Sequence, residues 1–330
     1  MRTMIIAGAA ILAAAGAALM IPIQREVSSA PPGGPREAPK PTGASAPARP
    51  LRLLFIHHSV GGQLLADLGE GPGRDRRGGG FRRLLEGAGY QVHTSTYGSP
   101  LGEKTDLFDW REKFSNHMAH VLTTADGTRP LPEGQRHDVV LFKACYPNNA
   151  FVGHGTPPGT VDGPELTIEN AKAALSSWLP EFQKHPDTLF VYLTAPPLAP
   201  KSWPEPAWKW LVKSVVGGTA SEKIAAQAVL AREFNTWAAA PDGWLSGYPL
   251  KNVAVIDYYD VLTAYGRSNL LVYPTGDGSD SHPSSDGQSK AAPVLLDALN
   301  AAVLRSGIGA LAANTEAAPS APTREASIAR

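Results

Sequence analysis

Five short apolar runs constrain the fold more than any other feature of this chain: LRLLFI (51–56), QVHTSTY (91–97), HDVVLFKA (137–144), TLFVYLTA (188–195) and NVAVIDYY (252–259). Most are continuous rather than alternating, and they are rich in β-branched and aromatic residues. Such runs fit strands covered on both faces, as in a parallel sheet. Between them lie helical patterns, FRRLLEGAG, IENAKAALSSWLPEFQKH, SEKIAAQAVLAREFNTWAAA and GQSKAAPVLLDALNAAVLRS. In the second, Ala171, Leu175, Leu179 and Phe182 form one apolar stripe at helical spacing. Strands alternating with such helices predict an α/β fold, a three-layer α/β/α sandwich around a doubly wound, mostly parallel five-stranded sheet.

The ends do not share this rhythm. Met4 to Ile23 is apolar and uncharged after a single Arg2, the pattern of a signal peptide or an N-terminal membrane anchor over residues 1–23. The chain is therefore expected to be exported, as a periplasmic, extracellular or outward-facing anchored protein. Residues 24–50 are rich in proline and alanine and almost devoid of large apolar residues, which predicts a disordered linker. Residues 309–330 have the same character and are expected to be a disordered tail. One domain over 51–308 remains, long enough for a well-covered core.

Composition narrows the partners. The 30 basic and 30 acidic residues balance, so nothing in the overall charge points to nucleic acid. Cys145 is the single cysteine, which excludes an internal disulfide and a cysteine-based zinc cluster. No cofactor is expected, and the chain is expected to be a monomer.

The stretch FIHHSVGG (55–62) carries a strand into two histidines, a serine and two glycines. In open parallel sheets reactive residues collect at the carboxyl ends of strands. Ser59 is there either a nucleophile, with its own N–H as an oxyanion donor, or a helix cap. A serine nucleophile needs a histidine base held by a carboxylate. GDGSDSHPSSDG supplies His282, with Asp280 two residues before it and Asp277 five before; Asp280 is the first choice to orient the ring and Asp277 the alternative. FKACYPNNAF places Asn148 and Asn149 after the third strand, and TYGSP places Gly98 after the second, both positions for oxyanion donors.

With these residues in this order, the sequence resembles the SGNH/GDSL hydrolase superfamily over most of the domain. The resemblance implies Ser59 as nucleophile, His282 as base, and the Ser59 N–H, Gly98 and Asn148 as the oxyanion hole. Two departures stand out: His58 occupies the place of the acidic residue that precedes the family's serine, and Ser279 that of its late aspartate. His58 is accordingly taken as a substrate contact.

From Leu198 to Gly218 three prolines and three tryptophans interrupt the alternation. Trp203 and Trp208 are expected to contact substrate there, since tryptophan faces stack on sugar rings. The expected activity is that of an exported esterase or deacetylase on an acylated carbohydrate or cell-envelope glycan. The competing expectation is a catalytically inactive polysaccharide-binding or scaffolding protein on the same fold. A metal site is not expected, because adjacent His57 and His58 on an extended segment point to opposite faces.

Overall fold

A computed structural model of the chain describes residues 34–69, 78–200 and 220–310. Trp203 and Trp208, the apolar run of residues 4–23 and the residues beyond 310 lie outside the described residues. Five strands, β1 (Leu51–Ile56), β2 (Tyr90–Ser95), β3 (Val139–Phe142), β4 (Leu189–Leu193) and β5 (Val253–Ile256), form one sheet in the order β2-β1-β3-β4-β5, every pair parallel. The apolar runs are these strands: β1 coincides with its run, and the other four are one to four residues shorter than theirs.

The helices divide between the two faces. On one side α1 (Ser59–Leu65), α2 (Phe81–Gly87) and α8 (Ser285–Ser306) cover Leu53, Phe55, Leu141 and Val191. On the other, α3 (Trp110–Asn116), α4 (Met118–Thr123), α5 (Ile168–Gln183) and α6 (Ala220–Ala239) cover Leu54, Ile56, Val140 and Phe142. The short α7 (Tyr258–Leu262) follows β5 and sends Tyr258 to the first core and Tyr259 to the second. Consecutive strand residues thus serve opposite cores, which is why the runs read as unbroken. This is a three-layer α/β/α sandwich. Each fully buried Leu, Ile or Phe contributes on the order of 1.5–3 kcal/mol of transfer free energy.

Register brings the strand ends level. Ile56 of β1 pairs with Ser95 of β2 and Phe142 of β3, and Phe142 pairs with Tyr192 of β4. The segments after β1, β2 and β3 therefore leave the sheet side by side.

Two features lay beyond the sequence patterns. The first is the pair α3 and α4 between β2 and β3. The second is a two-stranded antiparallel hairpin, β6 (Pro274–Thr275) with β7 (Asp280–Pro283), just before α8. Residues 34–50 form no helix or strand, but they lie against the domain. The Thr42 N–H and hydroxyl donate to Asp297, Arg49 pairs with Asp138 at 2.7 Å, and Arg36 pairs with Asp260 at 2.8 Å.

Candidate active site

FIHHSVGG resolves into three separate roles. His57 follows β1 and turns into the core, 4% exposed, where its Nδ1–H donates to the His58 carbonyl at 2.8 Å. Its Nε2 has no partner, and burial pushes its pKa down to about 3, aided by the nearby Lys143 ammonium. The ring is therefore neutral, a packing element rather than a base. Gly61 makes room for it: a Cβ there would stand 2.4 Å from the His57 Cβ, whereas one on Gly62 would meet only the His57 Cε1 at 3.6 Å.

His58 points the other way. Its Nε2–H donates to the Gly102 carbonyl at 2.6 Å, and its ring stacks on Tyr97 with centroids 3.9 Å apart. Desolvation lowers its pKa, and the bond to the Gly102 carbonyl works against that shift.

Ser59 is the first residue of α1, with His58 in extended conformation before it. Its Oγ lies 2.8 Å from His282 Nε2. The other ring nitrogen, Nδ1, lies 2.6 Å from Asp280 Oδ1, and the same oxygen accepts the His282 backbone N–H at 3.0 Å. A carboxylate can only accept, so Nδ1 carries the proton and Nε2 is the acceptor that faces the serine hydroxyl. Asp277 instead closes the turn, its Oδ1 accepting from the Ser279 N–H and hydroxyl. The hairpin holds His282 in place: the Thr275 hydroxyl donates to the His282 carbonyl at 2.9 Å, and Ser284 caps α8 directly behind it.

The expected oxyanion donors are arranged unequally. The Ser59 N–H has no acceptor among the described residues, as befits the first amide of a helix. Asn148 is buried in the 3-10 turn Tyr146–Asn149 after β3, and its amide is oriented from both ends. Its Oδ1 accepts the Leu107 N–H at 2.7 Å, and its Nδ2 donates to Asp106 at 3.0 Å, which leaves a second N–H on the same nitrogen. Asn149 is engaged differently: both its N–H groups go to the carbonyls of Ala195 and Pro196, and its Oδ1 accepts from Asn235. It ties β3 to β4 and α6. Gly98 adopts φ of +77° and donates its N–H to Glu103 at 2.8 Å. In this arrangement the Gly98 amide closes its own loop and is not presented to an oxyanion.

Two tyrosines outside the expected set border the site. Tyr97 covers His58, and Tyr146 sets its ring edge-on to His282, centroids 5.2 Å apart at 74°. Burial raises the Tyr146 pKa, with further contributions from Cys145, Asp280 and Tyr97. Both stand beside residues singled out from sequence, in TYGSP and CYPNN, where an aromatic neighbour is the available signal. Among the described residues no three His, Cys, Asp or Glu side chains gather in a way that could hold a metal ion. His154 is engaged elsewhere, by Glu233 at 2.9 Å.

No protein-family model matches the sequence, and no curated protein matches it. Among solved structures, a gut microbial diltiazem-metabolizing enzyme is similar at 11% identity and a TM-score of 0.43, over 78% of this chain and 49% of that one. This chain thus spans about half the length of that enzyme. A second solved chain is similar at 14% identity and a TM-score of 0.34, over 77% of this chain and 96% of its own length.

Proposed function

We propose that this protein is an exported serine hydrolase of the SGNH kind, an esterase or deacetylase that acts by acyl transfer on an acylated carbohydrate. The observation that carries the reading is the continuous relay from Ser59 Oγ through His282 to Asp280, with contacts of 2.8 and 2.6 Å. A serine at a helix start gains nothing as a cap from a histidine 223 positions away, whereas a nucleophile requires such a partner.

In this mechanism Ser59 Oγ attacks the acyl carbon while His282 Nε2 takes its proton. Asp280 holds the ring in the tautomer that can accept it and stabilises the imidazolium. The charge that develops on the acyl oxygen is held by the Ser59 N–H and the remaining Asn148 N–H; Gly98 joins them only when Glu103 releases its amide. His282 then passes the proton to the departing alcohol oxygen, and the acyl group stays on Ser59. Water, deprotonated by His282, attacks the acyl-enzyme, and the acid leaves with Ser59 restored.

The test is covalent labelling of the purified full chain by a fluorophosphonate, alongside Ser59→Ala and His282→Ala, followed by turnover of acetylated sugars and aryl acetates. Labelling that is lost in both variants is the expected result. A folded wild-type protein that binds sugar but resists the probe would replace this reading with that of a binding protein on the same fold.

A further inference from the structure

We infer that the outward face of Tyr97, backed by His58, is the subsite that takes a ring carried by the alcohol of the ester substrate. This rests on the serine-hydrolase reading and adds a selectivity to it.

Tyr97 is 58% exposed although its ring is apolar enough to be buried. Its inner face is not free to collapse further, because it already stacks on His58 at an interplanar angle of 23°. His58 is itself fixed by its 2.6 Å bond to the Gly102 carbonyl. The outer face is therefore a flat, preordered surface, and a ligand that stacks on it orders little that was mobile before. It begins one residue from the nucleophile, since His58 directly precedes Ser59.

The geometry of proton transfer gives the side on which the ring lies. The leaving oxygen must come to His282 Nε2 to be protonated, and Tyr146 packs edge-on against that imidazole. The alcohol skeleton thus passes alongside Tyr146. Tyr146 packs on His282, His282 contacts Ser59, and His58, the residue before Ser59, stacks on Tyr97, so the same skeleton reaches the Tyr97 face. What fits between is a group with a broad face: an aromatic ring, or the C–H face of a pyranose.

The experiment compares phenyl acetate, an acetylated methyl glucoside and butyl acetate as substrates of the wild type, Tyr97→Ala and Tyr97→Phe. Tyr97→Ala is expected to raise KM for the ring esters so that their preference over butyl acetate falls about tenfold, with kcat for the ring esters changed less than twofold. Tyr97→Phe restores the preference. If the loss is confined to phenyl acetate, the ring is aromatic; if to the glucoside, it is a sugar. An equal loss on all three esters, or none, overturns the inference. A second arm does not depend on turnover: saturation-transfer NMR of the same ligands on Ser59→Ala with and without Tyr97→Ala. Ring signals that weaken against the butyl signals support the subsite even if the wild type resists a fluorophosphonate, and unchanged ring signals refute it even if labelling succeeds.

Discussion

Asp280 and His282 are bound twice through one oxygen: Asp280 Oδ1 accepts the His282 backbone N–H at 3.0 Å and the ring Nδ1–H at 2.6 Å. The two residues belong to the same strand, β7, and so project to the same side of it. A separation of two therefore does here what a loop of different spacing can do elsewhere. Asp280→Asn keeps the shape but offers an amide that can donate to Nδ1 and reverse the tautomer. The expected outcome is a fall in kcat of about 10³- to 10⁴-fold, with fluorophosphonate labelling slowed to a similar degree. Asp277→Asn, measured in parallel, is expected to change the rate less than threefold.

The two glycines of FIHHSVGG are expected to behave unlike each other. Gly61→Ala forces a methyl against the His57 Cβ and Cγ at 2.4 and 2.6 Å, so either the imidazole or α1 must move. A loss of about 2–3 kcal/mol in chemical denaturation is expected, together with reduced labelling of Ser59. Gly62→Ala meets only an ordinary contact at 3.6 Å and is expected to be neutral or stabilising by up to about 1 kcal/mol.

Acid should weaken the fold through His57. Its pKa in the folded protein is about 3, against 6.5 for the free side chain, so between these values the unfolded chain binds one more proton than the native one. Stability then falls as the pH drops from 6.5 toward 3, by about 1.4 kcal/mol per unit. His137, lowered to about 4 by burial, acts in the same direction. Asp257, raised to about 6 by burial, opposes them between about 6 and 3.8. The measurement is therefore a difference: urea denaturation at pH 7, 6 and 5 is expected to give a shallower pH slope for His57→Asn than for the wild type, by close to one proton. Equal slopes would mean that His57 is charged in the native state.

The neighbouring asparagines separate catalysis from stability. Asn149→Ala leaves two carbonyls without donors and is expected to cost about 2–4 kcal/mol of stability. Asn148→Ala is expected to lower kcat by about 10²- to 10³-fold with a smaller stability change, as for the loss of one oxyanion donor. Thermal unfolding and turnover of the two variants would show opposite orders of severity.

The sheet was legible because its strands are buried on both faces and leave unbroken apolar runs such as LRLLFI. The long helices α5, α6 and α8 were legible for the same reason of length. By contrast, α3 and α4 are short, meet at His117, and mix WREKFSN with MAHVLT, so no stripe persists for more than two turns. The β6–β7 hairpin is too brief for any periodicity. The meeting of Ser59, His282 and Asp280 was legible because a serine after a strand invites a search for a histidine with a carboxylate beside it. The opposite turns of His57 and His58 follow from their adjacency on an extended segment, whereas the engagement of Gly98 by Glu103, and which of the two histidines enters the core, are outcomes of packing that no spacing encodes. Tyr97 and Tyr146 went unnoticed because an aromatic in a loop is common, and only their stacking on His58 and His282 gives them meaning.

The contact between Ser59 and His282 joins positions 223 apart, with β2, β3, β4 and β5 between them in the chain. The serine leaves the ribosome long before its histidine exists, and the two can meet only after the sheet has closed and the hairpin has docked. A premature stop between positions 59 and 282 yields a chain that has the serine but lacks the imidazole it contacts. On the serine-hydrolase reading, the onset of fluorophosphonate labelling at Ser59 during synthesis or refolding is then a clock: it marks the moment at which the two ends of the domain first hold each other.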